Sequence, residues 1–284
     1  MNVVVGIDIG GSTTKIMGFR GEEVIKPLFV KATDAITSVF GAFGKFISIN
    51  GLKLQNVKQI VITGVGASAI KENIYGIPTA KVQEFLALGL GGLYLSKLQE
   101  AIIVSMGTGT AMVRARSQGD FTHYGGTGIG GGTLLGLSSC MFNVRDFGAI
   151  MELAKNGDTG NINLTISDIT QDEIINLPPY ATASNFGKVS ELATKNDLAL
   201  GLVNLVFEAI GMQAVFASRI DKINDIVLTG NLSHSPLTWS VFERLMTIVP
   251  EKFYLPESSE FATAYGAALA YTRAYEPIES VEKV

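Results

Sequence analysis

The stretch Val-Val-Val-Gly-Ile-Asp-Ile-Gly-Gly-Ser-Thr-Thr-Lys at residues 3–15 decides how the rest of the chain is interpreted. Its β-branched apolar start predicts a buried strand, with Asp8 near the strand's end. Gly10 and Gly11 predict a tight turn whose backbone N–H groups can approach a phosphate, because no Cβ stands in the way. Further donors follow from Ser12, Thr13, Thr14 and Lys15. The stretch predicts a phosphate loop, and a plain hairpin turn is the alternative.

The acidic residue before this loop, Asp8, can hold a hydrated Mg²⁺. The loop matches neither the P-loop pattern nor the dinucleotide pattern G-x-G-x-x-G. The pattern D-x-G-G-[ST]-x-x-K resembles the first phosphate motif of the sugar kinase, Hsp70 and actin superfamily. That resemblance implies a second, similar loop further along the chain.

A second glycine and hydroxyl turn does follow. The apolar run at residues 101–104 predicts a strand, residues 105–110 predict a turn that contains Gly107 and Thr108, and residues 111–116 predict the returning strand. The repeated strand–turn–strand context favours phosphate binding over a chance pair of turns.

A third glycine cluster, Gly130 to Gly132, precedes a helix that is predicted to start near Thr133. The N-terminus of a helix attracts anions, because free N–H groups and the helix dipole both point outward. Close helix packing by small residues is the alternative.

Glu84 stands at the entry of a small-residue helix that is predicted to run to about Leu98. From the residues alone, this carboxylate is either a helix-capping charge or a functional group.

The order of predicted elements gives the fold class. A meander of three strands, a helix ending at Asn50, a strand at residues 60–62 and a short helix from Ala67 to Asn73 form a βββαβα order. This order is the unit of the ribonuclease H-like fold. We therefore expect an α/β protein with two ribonuclease H-like (actin-like ATPase) domains and a nucleotide cleft between them. The predicted domains are residues 1–100 and residues 101–284, the second with a helical insertion.

Composition narrows the function classes. The 284 residues carry a net charge of −4 and no basic tract, so we do not expect nucleic acid as a partner. The N-terminal apolar run lacks a basic start, and the apolar stretch at residues 85–95 is too short to span a bilayer. We expect a cytoplasmic protein without a membrane partner. The single cysteine, Cys140, excludes a disulfide framework within one chain.

Taken together, the motifs resemble those of type II pantothenate kinases. The resemblance rests on Asp8–Lys15, Glu84-Phe85, Gly107–Thr110, the glycine run from Gly125 to Leu137, residues 153–158, Ala183-Ser184-Asn185-Phe186-Gly187, and residues 226–230. The joint order of these motifs, more than any one of them, is specific to that family.

The resemblance implies ATP-dependent phosphorylation of pantothenate to 4′-phosphopantothenate, the first step of coenzyme A biosynthesis. It implies Mg²⁺, a homodimer, and coenzyme A or an acyl-CoA as an inhibitor. Glu84 would be the catalytic base, and Gly107, Thr108 and His123 would join it in contacting the substrate. The implied ATP contacts are Asp8, Ile9, Gly10, Gly11, Ser12, Thr13, Thr14, Lys15, Thr108, Gly131, Gly132, Thr133, Leu134, Leu135, Phe147 and Asn231, and Asp8 would also hold the metal.

Two positions depart from the family pattern. His123 stands where the family has a substrate-binding arginine, and Leu86 stands where it has an aspartate. Arg114 or Arg116 could replace the missing charge. These departures keep open an alternative, a kinase of the same fold that acts on a sugar, pantetheine or a related alcohol.

Two further alternatives belong to other classes. A dehydratase-activating ATPase shares the N-terminal loops, but it holds an iron–sulfur cluster with two cysteines per chain, and this chain has Cys140 alone. A sensor that binds nucleotide or acyl-CoA without turnover would not need Glu84.

Overall fold

A computed structural model describes residues 2–31, 34–175, 177–275 and 278–281. The chain divides into two compact units. The first contains Met1–Ile103, Val113–His123 and Pro256–Val284, and the second contains Val104–Met112 and Tyr124–Leu255. The domain limits expected from the sequence stay a prediction.

The regular elements follow each other in this order along the chain. The strands are β1 (Val3–Ile9), β2 (Thr13–Arg20), β3 (Glu23–Lys31), β4 (Val57–Thr63), β5 (Thr79–Val82), β6 (Glu100–Met106), β7 (Thr110–Arg116), β8 (Asp120–Thr127), β9 (Leu164–Thr165), β10 (Thr182–Ser184), β11 (Asp225–Thr229), β12 (Lys252–Tyr254) and β13 (Ile278–Ser280). The helices are α1 (Ala35–Ile49), α2 (Glu84–Ser96), α3 (Gly131–Phe142), α4 (Phe147–Ala154), α5 (Ile166–Ile169), α6 (Lys195–Asp221), α7 (Pro236–Leu245) and α8 (Ala262–Thr272).

The first unit is built on a sheet with the strand order β13-β5-β4-β1-β2-β3. β2 pairs antiparallel with both β1 and β3, β1 pairs parallel with β4, and β4 pairs parallel with β5. The predicted three-strand meander is therefore confirmed. β5 was not predicted, because its four residues are too few to show a period.

The prediction of a short helix from Ala67 to Asn73 is wrong. The chain forms only a 3₁₀ stretch, Val65–Ala69, whose backbone bonds join Ala67 to Gly64 and Ile70 to Ala67. Ile70 and Ile74 then enter the core separately, so the segment has no continuous helical face.

The two faces of this sheet bury different partners. Alternate side chains of β1, such as Val5 and Ile7, pack with Phe43 and Phe46 of α1. Val4 and Met17 point to the other face, where they join residues of α2 and α8.

Helices α2 and α8 touch through their backbones. A Cβ at Gly91 of α2 would collide with the carbonyl of Ala262, and one at Gly266 of α8 would collide with the carbonyl of Ala87. α8 approaches β1 just as closely at Gly6, where a Cβ would meet the carbonyl of Ala264. Glycine is needed here because only it leaves room for two main chains.

The second sheet has the strand order β12-β11-β6-β7-β8. The long helix α6 belongs to the second unit. Among the described residues, α6 is the one helix whose length and composition could cross a membrane, but 61% of its apolar window is buried within the protein. Since a core helix passes the same test, this is weak support for a membrane span.

The insertion predicted in the second half is not purely helical. α4 and α5 are accompanied by a two-stranded sheet of β9 and β10. The motif at residues 183–187 overlaps β10 and is anchored to α6, since Asn185 donates to Glu208 and accepts from Asn204.

We predict that Gly91→Ala lowers the free energy of unfolding by about 3 kcal/mol, because the added methyl group collides with a backbone that cannot move aside. Gly41→Ala is the matched control, since Gly41 lies in α1 with open space at its Cβ position. That variant should gain up to about 1 kcal/mol from its helix propensity. Denaturant unfolding of both variants measures the difference, and equal effects would contradict the packing described here.

Candidate functional site

Three parallel strands end at one edge of the first sheet. Asp8 lies near the end of β1, Thr63 ends β4, and Glu84 follows β5 as the first residue of α2. Because β4 lies between β1 and β5, the segment after Thr63 lies between Asp8 and Glu84. The carboxyl ends of parallel strands are where open α/β sheets bind their ligands.

Asp8 and Lys15 face each other across the first hairpin. They are direct partners in the β1–β2 register, and the Lys15 Nζ lies 3.8 Å from the Asp8 Oδ2. Both side chains are buried. The Gly10 N–H donates to the Thr13 carbonyl at 2.9 Å, which closes the turn between the strands. The predicted loop therefore brings one carboxylate and one ammonium group together.

Lys15 lies among three carboxylates, and we call Asp8, Lys15, Glu84 and Glu260 the Asp8 cluster. Burial lowers the pKa of Lys15, while the charges of Asp8, Glu260 and Glu84 raise it. Burial raises the pKa of Asp8, and Lys15 opposes this shift. The buried ammonium group of Lys15 thus interacts electrostatically with three carboxyl groups.

The pKa of Glu84 is raised above its usual value. Partial burial is the main cause, the charge of Asp8 adds to it, and the charge of Lys15 opposes it. The residue as a whole stays exposed, so water screens these effects. Glu84 therefore combines access from solvent with a raised affinity for a proton, which suits a general base.

Glu260 was missed by sequence reasoning. It lies in the 3₁₀ turn Ser259–Phe261 that leads into α8, far from Lys15 in the sequence. No motif marks it, and only the packing of α8 against α2 and β1 brings it near Lys15.

The loop residues differ in their access to solvent. Gly11 and Ser12 are exposed and Thr13 is half-buried, so these three can meet a ligand. Thr14 is fully buried and its hydroxyl has no hydrogen-bond partner, so that hydroxyl does not face solvent. The side chain of Ile9 is also buried in the core.

His123 lies beside Phe85, the residue that follows Glu84. Its ring stacks on that of Phe85 with 3.6 Å between centroids and an interplanar angle of 9°. His123 is exposed. The stack connects β8 to the first turn of α2, so the two predicted substrate residues lie in one part of the first unit.

The two arginines that could replace a missing charge are already engaged. Arg114 donates to Asp120 and to Thr122, both at 2.7 Å. Arg116 pairs with Glu100 at 3.1 Å and with Asp120 at 3.2 Å. Both guanidinium groups are therefore already paired with carboxylates.

Leu86, the second departure from the family pattern, is half-buried. It packs against the apolar cluster that α8 forms with β1 and β2. The apolar side chain is thus used in packing.

The second unit gathers a separate group of predicted residues. The Gly107 N–H donates to the Gly109 carbonyl at 2.8 Å and closes the second loop. The N–H groups of Gly131 and Gly132 donate to the carbonyls of Gly107 and Thr108 at 2.9 and 2.8 Å. The loop and the start of α3 therefore form one structure. The sequence predicts free N–H groups at this helix start that could bind an anion, but the N–H groups of Gly131 and Gly132 are already bonded. The side chain of Thr108 is exposed.

The remaining residues of α3 differ in their hydrogen bonding and in their exposure to solvent. The hydroxyl of Thr133 donates to the Gly128 carbonyl and accepts from the Gly130 N–H. Leu134 is fully buried, whereas Leu135 and Cys140 are exposed. Only the exposed side chains of this helix can meet a ligand.

Two predicted nucleotide contacts come from other elements of this unit. Asn231 opens the 3₁₀ turn after Gly230, whose left-handed backbone lies directly against Met106 at the end of β6. Phe147 is half-buried in the first turn of α4, which Asp146 caps.

Among the described residues, no group of three or more His, Cys, Asp or Glu side chains could hold a metal ion. Asp8 is the single carboxylate offered by the first loop. Mg²⁺ in phosphoryl-transfer sites is commonly held by one or two carboxylates together with phosphates and waters, so Asp8 fits that donor set.

Proteins of similar sequence are known along most of the chain. The profile of the Fumble family matches residues 95–248. A type II pantothenate kinase from Staphylococcus aureus is 29% identical over 275 residues, which cover 93% of this chain and 97% of that protein.

Solved structures show the fold. The (R)-2-hydroxyglutaryl-CoA dehydratase component A of Acidaminococcus fermentans superposes with a TM-score of 0.71 at 16% identity, over 97% of this chain and 100% of that one. The activator of the 2-hydroxyisocaproyl-CoA dehydratase from Clostridium difficile, solved with bound ADPNP, has a TM-score of 0.65 at 18% identity, over 97% and 98%. The predicted actin-like ATPase fold is confirmed.

The profile match spans more than half of the chain, and the relatives align along nearly all of it. The resemblance to type II pantothenate kinases is confirmed, and the chain belongs to the Fumble family.

Proposed function

We propose that this protein is a pantothenate kinase that uses ATP to form 4′-phosphopantothenate, the first step of coenzyme A biosynthesis. Family membership and near full-length similarity to a type II pantothenate kinase support this activity. The observation that carries the mechanism is the position of Glu84 beside Asp8 and Lys15 at the carboxyl edge of the first sheet.

Glu84 is the proposed general base. As the hydroxyl oxygen of the acceptor bonds to the γ-phosphorus, the bond to ADP breaks and the hydroxyl proton passes to the Glu84 carboxylate. A raised pKa strengthens this base, because a carboxylate with a higher pKa accepts a proton more readily.

Lys15 and the first loop are proposed to hold the phosphates of ATP. The Lys15 ammonium group lies near the loop, and Gly11 leaves its surface open. Asp8 would hold Mg²⁺, which, when bound, neutralises charge on the phosphates. The contacts from Gly107, Thr108, α3, Phe147 and Asn231 to the nucleotide stay predictions.

The wider setting is also proposed. The resemblance favours a homodimer and a cytoplasmic location, and it suggests coenzyme A or an acyl-CoA as an inhibitor. Gel filtration tests the homodimer, and inhibition assays test coenzyme A and acyl-CoA as inhibitors.

Glu84→Gln should lower kcat by a factor of about 10² to 10⁴, because the amide cannot accept the proton. ATP affinity should stay within about twofold, since loss of the base leaves the phosphate contacts intact. A coupled assay of ADP release and a titration with an ATP analogue measure the two effects. Glu257→Gln, at an exposed residue of the same unit, is the control and should keep full activity. Unchanged turnover in Glu84→Gln would remove this residue as the base.

The pH profile gives an independent check. The base acts only when it is ionised, so kcat/KM should fall as the pH drops through the pKa of Glu84. Because that pKa is raised, the inflection should lie above the ordinary value of 4.5. Circular dichroism over the same pH range separates this loss from acid unfolding. An inflection at or below the ordinary value would contradict the proposed environment of Glu84.

His123 is the proposed contact for the acceptor's carboxylate. His123→Arg should lower KM for pantothenate about threefold or more. A guanidinium group is always charged, and it binds a carboxylate through two parallel hydrogen bonds. It can also still stack on Phe85. The control acceptor is the neutral analogue in which the carboxylate is replaced by an alcohol, and its KM should not change. Equal effects on the KM values of both acceptors would show that His123 does not bind the carboxylate.

A further inference from the structure

The segment that follows β4 takes no part in the proposed mechanism, although it lies in the middle of the site. β4 is flanked by β1, which carries Asp8, and by β5, which leads to Glu84. All three strands run parallel and end at the same edge. A side chain exposed just beyond β4 therefore stands between the proposed phosphate loop and the proposed base.

Thr63 fixes the start of this segment. It is the last residue of β4 and the register partner of Asp8. Its buried hydroxyl donates to the Val82 carbonyl at 3.0 Å, two residues before Glu84. Thr63 thus connects the ends of the three strands, through its side chain to β5 and through its backbone pairing to β1.

Gly64 fixes the direction of the segment. Its backbone is left-handed, with a φ of 89°, and a Cβ there would lie 2.6 Å from the Ile9 carbonyl oxygen and 2.7 Å from the Asp8 Oδ1. Any other residue would collide with the main-chain carbonyl of Ile9 and crowd the carboxylate of Asp8. The chain therefore passes over the end of β1 at Asp8 and Ile9, and Val65 is the next residue.

Val65 is held outward by its neighbours. The Ser68 hydroxyl donates to the Val65 carbonyl at 3.2 Å, and the Ala67 N–H donates to the Gly64 carbonyl at 3.0 Å. The side chain of Val65 is 70% exposed. Covering an exposed apolar side chain with a ligand lowers the free energy of the system. An apolar side chain exposed between two functional groups therefore points to a ligand contact.

From this placement we infer that Val65 contacts the alcohol acceptor and sets part of the enzyme's acceptor preference. This inference rests on the proposed kinase function and adds a specificity residue to it. The acceptor is the partner that fits, because its aliphatic part needs an apolar surface, while the phosphates of ATP need donors and cations.

The test compares two exposed apolar residues at opposite ends of the same strand. Leu54, 44% exposed, precedes β4 and lies at the edge away from Asp8 and Glu84. Val65→Asp should raise KM for pantothenate roughly tenfold or more, because it replaces an apolar contact by a charge that repels the acceptor's carboxylate. Val65→Ser should raise it less. KM for ATP should stay within about twofold in both variants.

Leu54→Asp is the control and should leave both KM values unchanged. Thermal unfolding of the three variants shows whether the fold is kept, and since Val65 is exposed we expect shifts of only a few degrees. Unchanged acceptor KM in Val65→Asp, or an equal change in Leu54→Asp, would overturn the inference. If wild-type protein fails to phosphorylate pantothenate, the proposed function fails instead, so the two failures are distinguishable.

Discussion

The contact between the backbones of α2 and α8 determines where the candidate base lies. Gly91 and Gly266 let the two helices approach until carbonyl groups and Cα atoms touch, and Gly6 lets α8 settle on β1 in the same way. Glu84 begins α2 and Glu260 precedes α8, so this packing also sets the distances of both acids from Lys15. A wider spacing would separate the charges of the Asp8 cluster. The electrostatics of the site thus depend on three residues without side chains.

Much of the first unit could be predicted from the sequence. The β-branched run before Asp8 and the Gly10-Gly11 turn specify a buried hairpin, because each local preference agrees with the fold. Glu84 could be named only through the family resemblance, because a carboxylate at a helix start is also a common capping charge. Glu260 and Thr63 could not, because their roles arise from contacts between elements that are distant in the sequence. The engagement of the Gly131 and Gly132 N–H groups was equally hidden, since a glycine run does not reveal which carbonyls will meet it.

The fold alone does not identify the chemistry. A component of one dehydratase and the activator of another share the architecture, yet their low identity establishes only the fold. Iron–sulfur clusters are held by several cysteine thiolates, and this chain has one cysteine, Cys140. The proposed function therefore rests on this chain's side chains: an exposed carboxylate with a raised pKa at Glu84, and His123 stacked on Phe85 beside it.

The same Cys140 has a practical consequence. It is the one thiol of the chain and it is exposed on α3, so a maleimide dye would label the natural protein at a single place without mutagenesis. At 1.5 Å of rise per residue, it lies about 14 Å along the helix from Gly131, where α3 meets the second glycine loop. A fluorophore there would sense changes around that loop while the first unit, with its proposed base and phosphate loop, stays chemically untouched.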